Sequence, residues 1–544
     1  MGYFSDRQKL KAAKRELEIT QTENQIAKMK ANTMAIDAQR ETVHRFVNSG
    51  YSHGGASTKA TWAERYHSES LSPKSDIEEN RKLLRERTRD LAMNAPIATA
   101  AVNSTRTSCV GPGLVPKPKI DYEFLGISKE DATNLQRVIK KEFAIWAEST
   151  ICDTCDLNNF YELQQIAFSD WMKNGEEFVV ISYDEATDYM PYELRLKLVA
   201  ADRISTPGSM NAEYDGVDKE TKNGNVIMNG VEIDRNGKVI AYYICSNFPG
   251  EYASKEPKWT RIEKRGKRTG NPNILHIFSA EIAEQYRGVP FLAPVITALK
   301  QLTRYTEAEI MAAVINSMFA LFICTETGND IEGFGGIDEE DWDKTIPENE
   351  DEIKLGSGTI NYLKEGEKIE AVESKHPNGS YESFMKAFTT MIGAALEISP
   401  EVLMKTFSTS FSASKGALNE TWKSFMMKRK WFVNDFCQPV YDLWMAESVS
   451  KGRINAPGFF TDPLIRKAYT NATWTGPAQG CLNPSQEANA AVTRISNGLS
   501  TREDECAAIN GSDYEDNVRT LKNENEWLAE AVKPLEREEN NEEN

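Results

Sequence analysis

Apolar residues recur along this chain at two spacings, and the switches between them divide it. In Lys129–Glu148 and Asn158–Lys173 they fall three and four apart, the period of a helix buried on one side. From Glu176 the period drops to two: "EEFVVISY" (176–183), "YELRLKLVA" (192–200) and "NILHIF" (273–278) read as strands. "NVIMNGVEIDRNGKVIAYYICS" alternates on both sides of Asn236-Gly237, a strong hairpin signal. The stretch from about 90 to 285 therefore reads as a mixed α+β domain.

Helical spacing then returns in longer runs. Pro290 to Ile323 carries Leu292, Val295, Leu299, Leu302, Ile310, Val314 and Met318 on one side, and Ser380 to Leu396 carries Tyr381, Phe384, Phe388, Met391, Ile392 and Ala395. Between them lies the acidic "DIEGFGGIDEEDWDKTIPENEDEIKLGSG", followed by the short strand candidates "TINYL" and "EKIEAV". A third long helix spans Ser414 to Ser450, with the stripe Leu418, Trp422, Phe425, Phe432, Phe436, Val440 and Trp444. Pro439 removes one of its hydrogen bonds and is expected to kink it. "KRK" (428–430) falls between stripe positions and reads as a solvated face.

The ends are more polar. Residues 5–46 predict one helix with sparse apolar positions (Leu10, Leu17, Ile26, Met29), a solvated helix or mobile arm, and "SGYSHGGASTKA" is a linker. Helical spacing resumes from Ile77 to Cys109, where "RKLLRERTRDLAMNAP" bears a dense positive stripe. That stripe reads as a solvated or salt-bridged face, with nucleic-acid contact as the alternative. "VGPGLVPKP" reads as a turn-rich segment, and "RINAPGFF" and "AYTNATWTGP" as loop or short strand. Three terminal helices are punctuated by Pro484-Ser485, Asn497-Gly498, a Ser500/Glu503 capping box, Asn510-Gly511 and Ser512-Asp513. "EREENNEEN" has too little apolar content to fold and is expected to be disordered.

At 544 residues the chain is long enough for several domains. A net charge of −18 argues against binding nucleic acid through an overall basic surface, since phosphate affinity needs Lys and Arg. It leaves open a polyanion that passes a repelling wall without sticking. Eight scattered cysteines and the charged opening "MGYFSDRQKLKAAKRELE" suggest a reduced, cytosolic life during synthesis. The uncharged run "IMAAVINSMFALFICT" falls short of the roughly 20 residues a bilayer needs, so no membrane is expected.

No catalytic constellation stands out. Cys152 and Cys155 form a CxxC without a second pair to complete a zinc site or a thioredoxin-like strand–helix context to make a redox dithiol. No GxxxxGK[ST] loop exists to cradle phosphates, and the five histidines form no HExxH or HxH grouping. "KRGKR" (264–268) reads as an exposed basic loop. No cofactor is expected.

The order of elements, with five stretches in sequence, resembles the lambda-type family of tailed-bacteriophage portal proteins. These stretches are "LRERTRDLAMNAPIATAAV…CVGPGL", "QYRGVPFLAPVITALKQLTRYTEAEIMAA", "YLKEGEKIEAVESKHPNGSYESF", "LEISPEVLMKTFSTSFSASKGALNETW" and "WTGPAQGCLNPSQEANAAVTRISNGLSTREDECA". The resemblance spans roughly residues 54 to 516. Where the family usually reads Tyr-Ser-Ser-Ala-Arg, this chain has "FSASK", with Lys415 in the arginine position.

The resemblance implies an α+β portal fold. Its parts would be an N-terminal helical arm (1–48), an α+β wing (49–288), two long stem helices (289–320 and 379–398) and a small α/β clip (321–378). A tunnel loop (399–413), a kinked wing helix with return strands (414–480), crown helices (481–532) and an acidic disordered tail (533–544) would complete it. It further implies a dodecameric homo-oligomeric ring at one capsid vertex of the virion, assembled in the bacterial host cytoplasm. Double-stranded DNA would pass through it without sequence specificity.

Lys405, Thr406, Phe407, Ser408, Thr409, Ser410, Phe411 and Ser412 would then face the DNA, and Lys300, Arg304, Glu307, Glu382 and Lys386 would line the stem channel. Glu339, Glu340, Asp341, Asp343, Glu348, Glu350 and Asp351 would meet the terminase large subunit and later a head–tail connector protein. The major capsid protein and scaffold would surround the ring. Two other readings stay open: a capsid-associated scaffold or adaptor that binds protein only, and a thiol or metal enzyme at Cys152 and Cys155.

Overall fold

Arg81 and Arg85 of the positive stripe turn inward, while Arg87 stays exposed. The computed structural model describes residues 73–208, 219–248, 256–318, 322–325, 367–370, 380–407, 410–480 and 483–539 of the main unit. In a separate N-terminal unit it describes 22 and 28–30, which are helical, and 71–72. The rest of the arm expected over 5–46, and the 49–60 linker, lie outside the described residues. In the main unit, α1 (Arg81–Asn94) and α2 (Pro96–Cys109) break at Ala95, whose extended backbone is what a following proline enforces. Val115–Pro118, expected as a turn, forms strand β1 against a strand near residue 472. Its two prolines suit an edge position.

Helices α3 (Lys129–Ala147) and α4 (Phe160–Asn174) lie close to the expected bounds. Asn159 and Glu162 form a reciprocal capping box at the start of α4, and Gly175 ends it with φ +84°. Strand β2 (Glu176–Tyr183) is central in a three-stranded antiparallel sheet, flanked by β3 (Leu194–Val199) and a later strand, Ile274–Phe278. The second sheet is a five-stranded antiparallel meander: β4 (Lys219–Glu220), β5 (Val226–Met228), β6 (Val231–Ile233), β7 (Val239–Cys245) and β8 (Trp259–Glu263). Asn236-Gly237 does turn β6 into β7, but with a register shift. The tight two-residue hairpin is at Asn229-Gly230, where both residues have positive φ (48° and 81°). The outer partner of β2 is β9 (Ile274–Phe278).

The stem-like helix begins later than expected. A short 3-10 turn (Ala293–Val295) precedes α5 (Ile296–Met318), and β10 (Phe322–Thr325) pairs antiparallel with β11 (Glu367–Glu370). Then come α6 (Tyr381–Leu396), the short α7 (Pro400–Met404) and α8 (Phe411–Phe432). A π turn, Val433–Cys437, carries α8 into α9 (Gln438–Ser450). There the Gln438 N–H reaches back to the Val433 carbonyl. The irregularity that Pro439 forces is this widened turn just before it, which makes room for a ring that would crowd the carbonyl four residues back.

Pro463–Thr470 is helix α10, where only loop or strand was expected. Its N-cap Asp462 accepts from the Leu464 N–H, and Pro463 fits the first turn. Strand β12 (Ala472–Thr475) completes the ladder with β1. Helix α11 (Pro484–Ser496) is capped by Asn483. Helix α12 (Arg502–Ile509) is capped by Thr501 bonding the Asp504 N–H, one residue beyond the expected Ser500/Glu503 pair. Helix α13 (Tyr514–Glu539) runs well into the expected disordered tail, because its Ala, Glu, Lys and Arg residues are good helix formers. Residues 540–544 lie outside the described residues.

The main core is aromatic. Phe432, Phe436, Val440 and Trp444 from α8, the π turn and α9 are fully buried against Phe143 and Trp146 of α3 and Phe160 and Phe168 of α4. Phe143 meets Trp444 edge to face at 4.9 Å, and Phe168 meets Phe432 likewise at 5.4 Å. A smaller core joins the two sheets through Phe178, Val231, Tyr242, Ile244 and Ile274.

Between these cores sits a buried charge. Glu176 is inaccessible, and its carboxylate receives Arg287 Nη2 and Arg85 Nη2 at 2.7 Å each and Arg81 Nη1 at 3.2 Å. It also receives His276 Nε2 and the Gly288 N–H at 3.0 Å. The buried His276 ring lies between Phe178 and Phe278, each 4.2 Å away, and burial lowers its pKa. The neutral tautomer that fits both partners donates from Nε2 to Glu176 and accepts at Nδ1 from the Tyr242 hydroxyl. Arg85 and Arg89 also pair with Asp202, and Arg287 donates to the Ala201, Ile204 and Asn229 carbonyls. Gly175 and Gly288 let two backbones touch here: a Cβ on Gly288 would stand 1.9 Å from the Gly175 carbonyl oxygen.

Burial would raise the Glu176 pKa, but the arginines, led by Arg287, and the His276 bond outweigh it and hold it well below the carboxylate range. Its stabilisation is therefore present above the unfolded pKa and is lost as pH falls through the folded one. Glu177 is the opposite case. Among the described residues its buried oxygens have no hydrogen-bond partner, and burial, with Asp170 and Glu176 nearby, pushes its pKa well up. It keeps its proton better folded than unfolded, so it costs stability as pH rises above the usual carboxylate range. Glu176→Gln is expected to lose about 3–5 kcal/mol in chemical denaturation. Glu177→Gln is expected to flatten the decline of stability as pH rises above the usual carboxylate range. A Glu177→Gln variant less stable than the parent at the upper pH would contradict this assignment.

Candidate functional site

The candidate loop starts where α6 is made to stop. Glu397 takes a left-handed backbone (φ 58°) at the end of that helix. Its carboxylate accepts from Ser424 Oγ at 2.8 Å and Lys428 Nζ at 3.2 Å, both on α8, and these partners lower its pKa. The next residue, Ile398, is buried, and the Ser399 N–H donates to Thr421 Oγ1 at 2.9 Å. The end of α6 is thus stitched to α8 by three polar contacts and one apolar plug.

The loop is shorter than the expected 399–413. Pro400 opens α7, Leu403 buries into the core and Lys405, left-handed at φ 54°, closes it. At the far end Ser410 is the N-cap of α8, its Oγ accepting from the Ala413 N–H. Phe411 and Ser412 therefore belong to the first turn of a helix and not to the loop, a consequence of a serine with cap geometry. What remains is Lys405–Ser410, in which Lys405, Thr406, Phe407 and Ser410 are exposed. Ser408 and Thr409 lie outside the described residues. Lys415, in the position where an arginine was expected from the resemblance, pairs with Glu487 of α11 at 3.1 Å.

On the helices that lead to the loop, Lys300, Arg304 and Glu307 are exposed on α5, and Glu382 and Lys386 are exposed on α6. Tyr305 joins the two helices, with ring centres 4.6 Å from Phe384 and 5.9 Å from Tyr381. Leu299 and Leu302 are buried on the inner face of α5, yet the apolar stripe continues into the open. Ile310, Met311 and Val314 are 60%, 60% and 43% exposed. The acidic candidates Glu339, Glu340, Asp341, Asp343, Glu348, Glu350 and Asp351 lie outside the described residues.

Two expected surface features are structural. Arg429 of the "KRK" cluster donates to the Ser108, Cys109 and Pro477 carbonyls, and Lys428 lies 5.5 Å from the Phe291 ring centre. Only Lys430 keeps the expected exposed character. The positive stripe of α1 supplies Arg81 and Arg85 to Glu176 and Arg85 and Arg89 to Asp202; spacing of four at positions 81, 85 and 89 was the available signal.

Cys152 is buried, and burial pushes its thiol up to about 12, which disfavours the thiolate that redox chemistry or metal binding would need. Cys155 is exposed, and among the described residues no three His, Cys, Asp or Glu side chains converge on a metal-sized site. No described helix is long and apolar enough to cross a membrane.

A family model described as phage portal protein, lambda family, matches residues 60–429. The chain belongs to that family. The portal protein of Escherichia phage N15 is 25% identical over 444 residues, covering 78% of this chain and 81% of the relative. Portal protein B of Escherichia phage lambda is 24% identical over 444 residues, with 78% and 80% covered. A chain from the neck of an empty gene transfer agent particle superposes with a TM-score of 0.41 at 12% identity, covering 78% of this chain and 94% of that one. The role of this family, that of a phage portal protein, is the role of this chain.

The cap that ends the loop offers a direct check. Ser410→Ala removes the acceptor for the Ala413 N–H at a cost of about 1 kcal/mol. Hydrogen exchange at the first turn of α8 is then expected to speed up about fivefold. Unchanged exchange there would mean that Ser410 does not set the loop boundary.

Proposed function

We propose that twelve copies of this chain close into a ring at one capsid vertex of a tailed phage, with a central channel for double-stranded DNA. The terminase large subunit drives DNA in through this channel during packaging, and the DNA leaves through it at ejection. The family match over residues 60–429 carries this reading, since it takes in α5, the acidic segment, α6, the loop and most of α8.

Physical features support it. The exposed Ile310, Met311 and Val314 form an apolar strip beyond the reach of the chain's own core, suited to cover by neighbouring copies. In the ring, α5 and α6 act as the stem, with Lys300, Arg304, Glu307, Glu382 and Lys386 toward the channel. The acidic segment between them is the clip that meets terminase and later the head–tail connector. The sheets, α8 and α9 form the wing, and the last helices the crown, with the major capsid protein and scaffold around them.

The short Lys405–Ser410 loop reaches into the channel. One lysine and several hydroxyls contact phosphate weakly, while a net charge of −18 disfavours any lasting grip. DNA that is centred and not held can slide.

The test is a packaging assay on particles built with Lys405→Glu and Phe407→Gly together. Rings are expected to form as in the parent while the yield of DNA-filled, infectious particles falls. A normal yield from these particles would remove the loop from the translocation path.

A further inference from the structure

Among the described residues, little of the last helix packs on the rest of its own chain. α13 is 26 residues long, about 39 Å at helical rise. Only its start is fastened. Asp513, just ahead of it, pairs with Lys140 at 2.6 Å and Lys117 at 3.4 Å, and Tyr514 Oη accepts from Arg502 at 3.0 Å. From Val518 to Ala531 every residue is exposed. In proteins most helical stability comes from packing an apolar face against a partner and not from propensity alone.

The sequence of this helix is not random. Tyr514, Val518, Leu521, Asn525, Leu528 and Val532 follow one another at spacings of four, three, four, three and four. This is a heptad seam with Val518, Asn525 and Val532 in its first core position and Tyr514, Leu521 and Leu528 in its second. Val518, Leu521 and Leu528 are 45%, 54% and 62% exposed. A β-branched residue in the first position with leucine in the second is the combination that favours two parallel strands. A single asparagine in the first position fixes register, because it is satisfied by its own counterpart on a second identical helix and by little else. Flanking charges agree. In a parallel, in-register pair Glu524 faces Ala529 and Asn517 faces Lys522, so no like charges oppose one another. Trp527 lies outside the seam. The match to the portal family ends at residue 429, so α13 lies beyond it.

We infer that α13 is a self-association element: it pairs with α13 of a second copy of this chain as a parallel two-stranded coiled coil, in register at Asn525. The pairing is separate from the apolar strip on α5. Two-strand pairing within a twelve-fold ring groups the copies as six pairs at this end of the chain.

The test is disulfide trapping in the full-length protein. Asn525→Cys places a thiol in the seam, and Asn523→Cys places one two residues away on the outer face. With diamide as oxidant, Asn525→Cys is expected to give disulfide-linked dimers on a non-reducing gel, several-fold more than Asn523→Cys or the parent with its native thiols. Adding Leu521→Asp and Leu528→Asp to Asn525→Cys is expected to abolish the dimer. Equal trapping at 523 and 525, no trapping at 525, or trapping that survives the two aspartates would each overturn the inference. Ring formation is scored separately on the same samples, so trapping can fail while rings form, and the reverse.

Discussion

Glu176 has no solvent to share its charge with, so the protein must supply the whole of its surroundings. Three guanidinium groups, an imidazole and a backbone amide do so. They come from three separate parts of the chain: Arg81 and Arg85 from α1, His276 from β9, Arg287 and Gly288 from the connection ahead of α5. Removing one partner of such a set leaves an uncompensated charge in the interior, which is far costlier than losing a contact at the surface. The arrangement therefore demands that these segments be in place together.

That demand reaches the candidate functional region through short covalent distances. Gly288 lies two residues from Pro290, and the Phe291 N–H bonds the Met172 carbonyl at the end of α4. The start of α5 is thus referenced to the buried carboxylate. At the other end, Glu397, Ser399 and Lys428 tie α6 to α8, so the loop from Lys405 to Ser410 hangs between helix ends that cannot drift independently. A short polar loop on a rigid mount suits a passage through which a polymer slides.

Much of this was legible from periodicity. β2, β3, β9, α3, α4 and α6 lie within a few residues of where spacing put them, because each has one face to bury and its caps are local. What was missed depends on distant partners. The arginines of α1 read as a solvated or salt-bridged face; they are salt-bridged, but nothing near them in sequence announces the partners Glu176 and Asp202 or the burial of Arg81 and Arg85, and Arg429 looked solvated because its three carbonyl acceptors lie far along the chain. Val115–Pro118 looked like a turn because its two prolines conceal a strand whose partner begins at Ala472. The loop was overestimated for a local reason: Ser410 could equally be a loop hydroxyl or a helix cap, and only the backbone decides. The five stretches behind the family resemblance hold some of these structural residues, including Arg85 and Arg89 of α1 and the Arg287-Gly288 pair.

The exposed second half of the α5 stripe is where the single chain is least complete. Ile310, Met311 and Val314 are the residues that a ring would cover and a monomer would leave wet. Electron cryomicroscopy of the purified full-length chain tests this most directly. The account predicts closed annular particles with an open central bore, in which those three side chains are buried against adjacent copies. Discrete monomers, or rings whose bore is filled by packed protein, would contradict it.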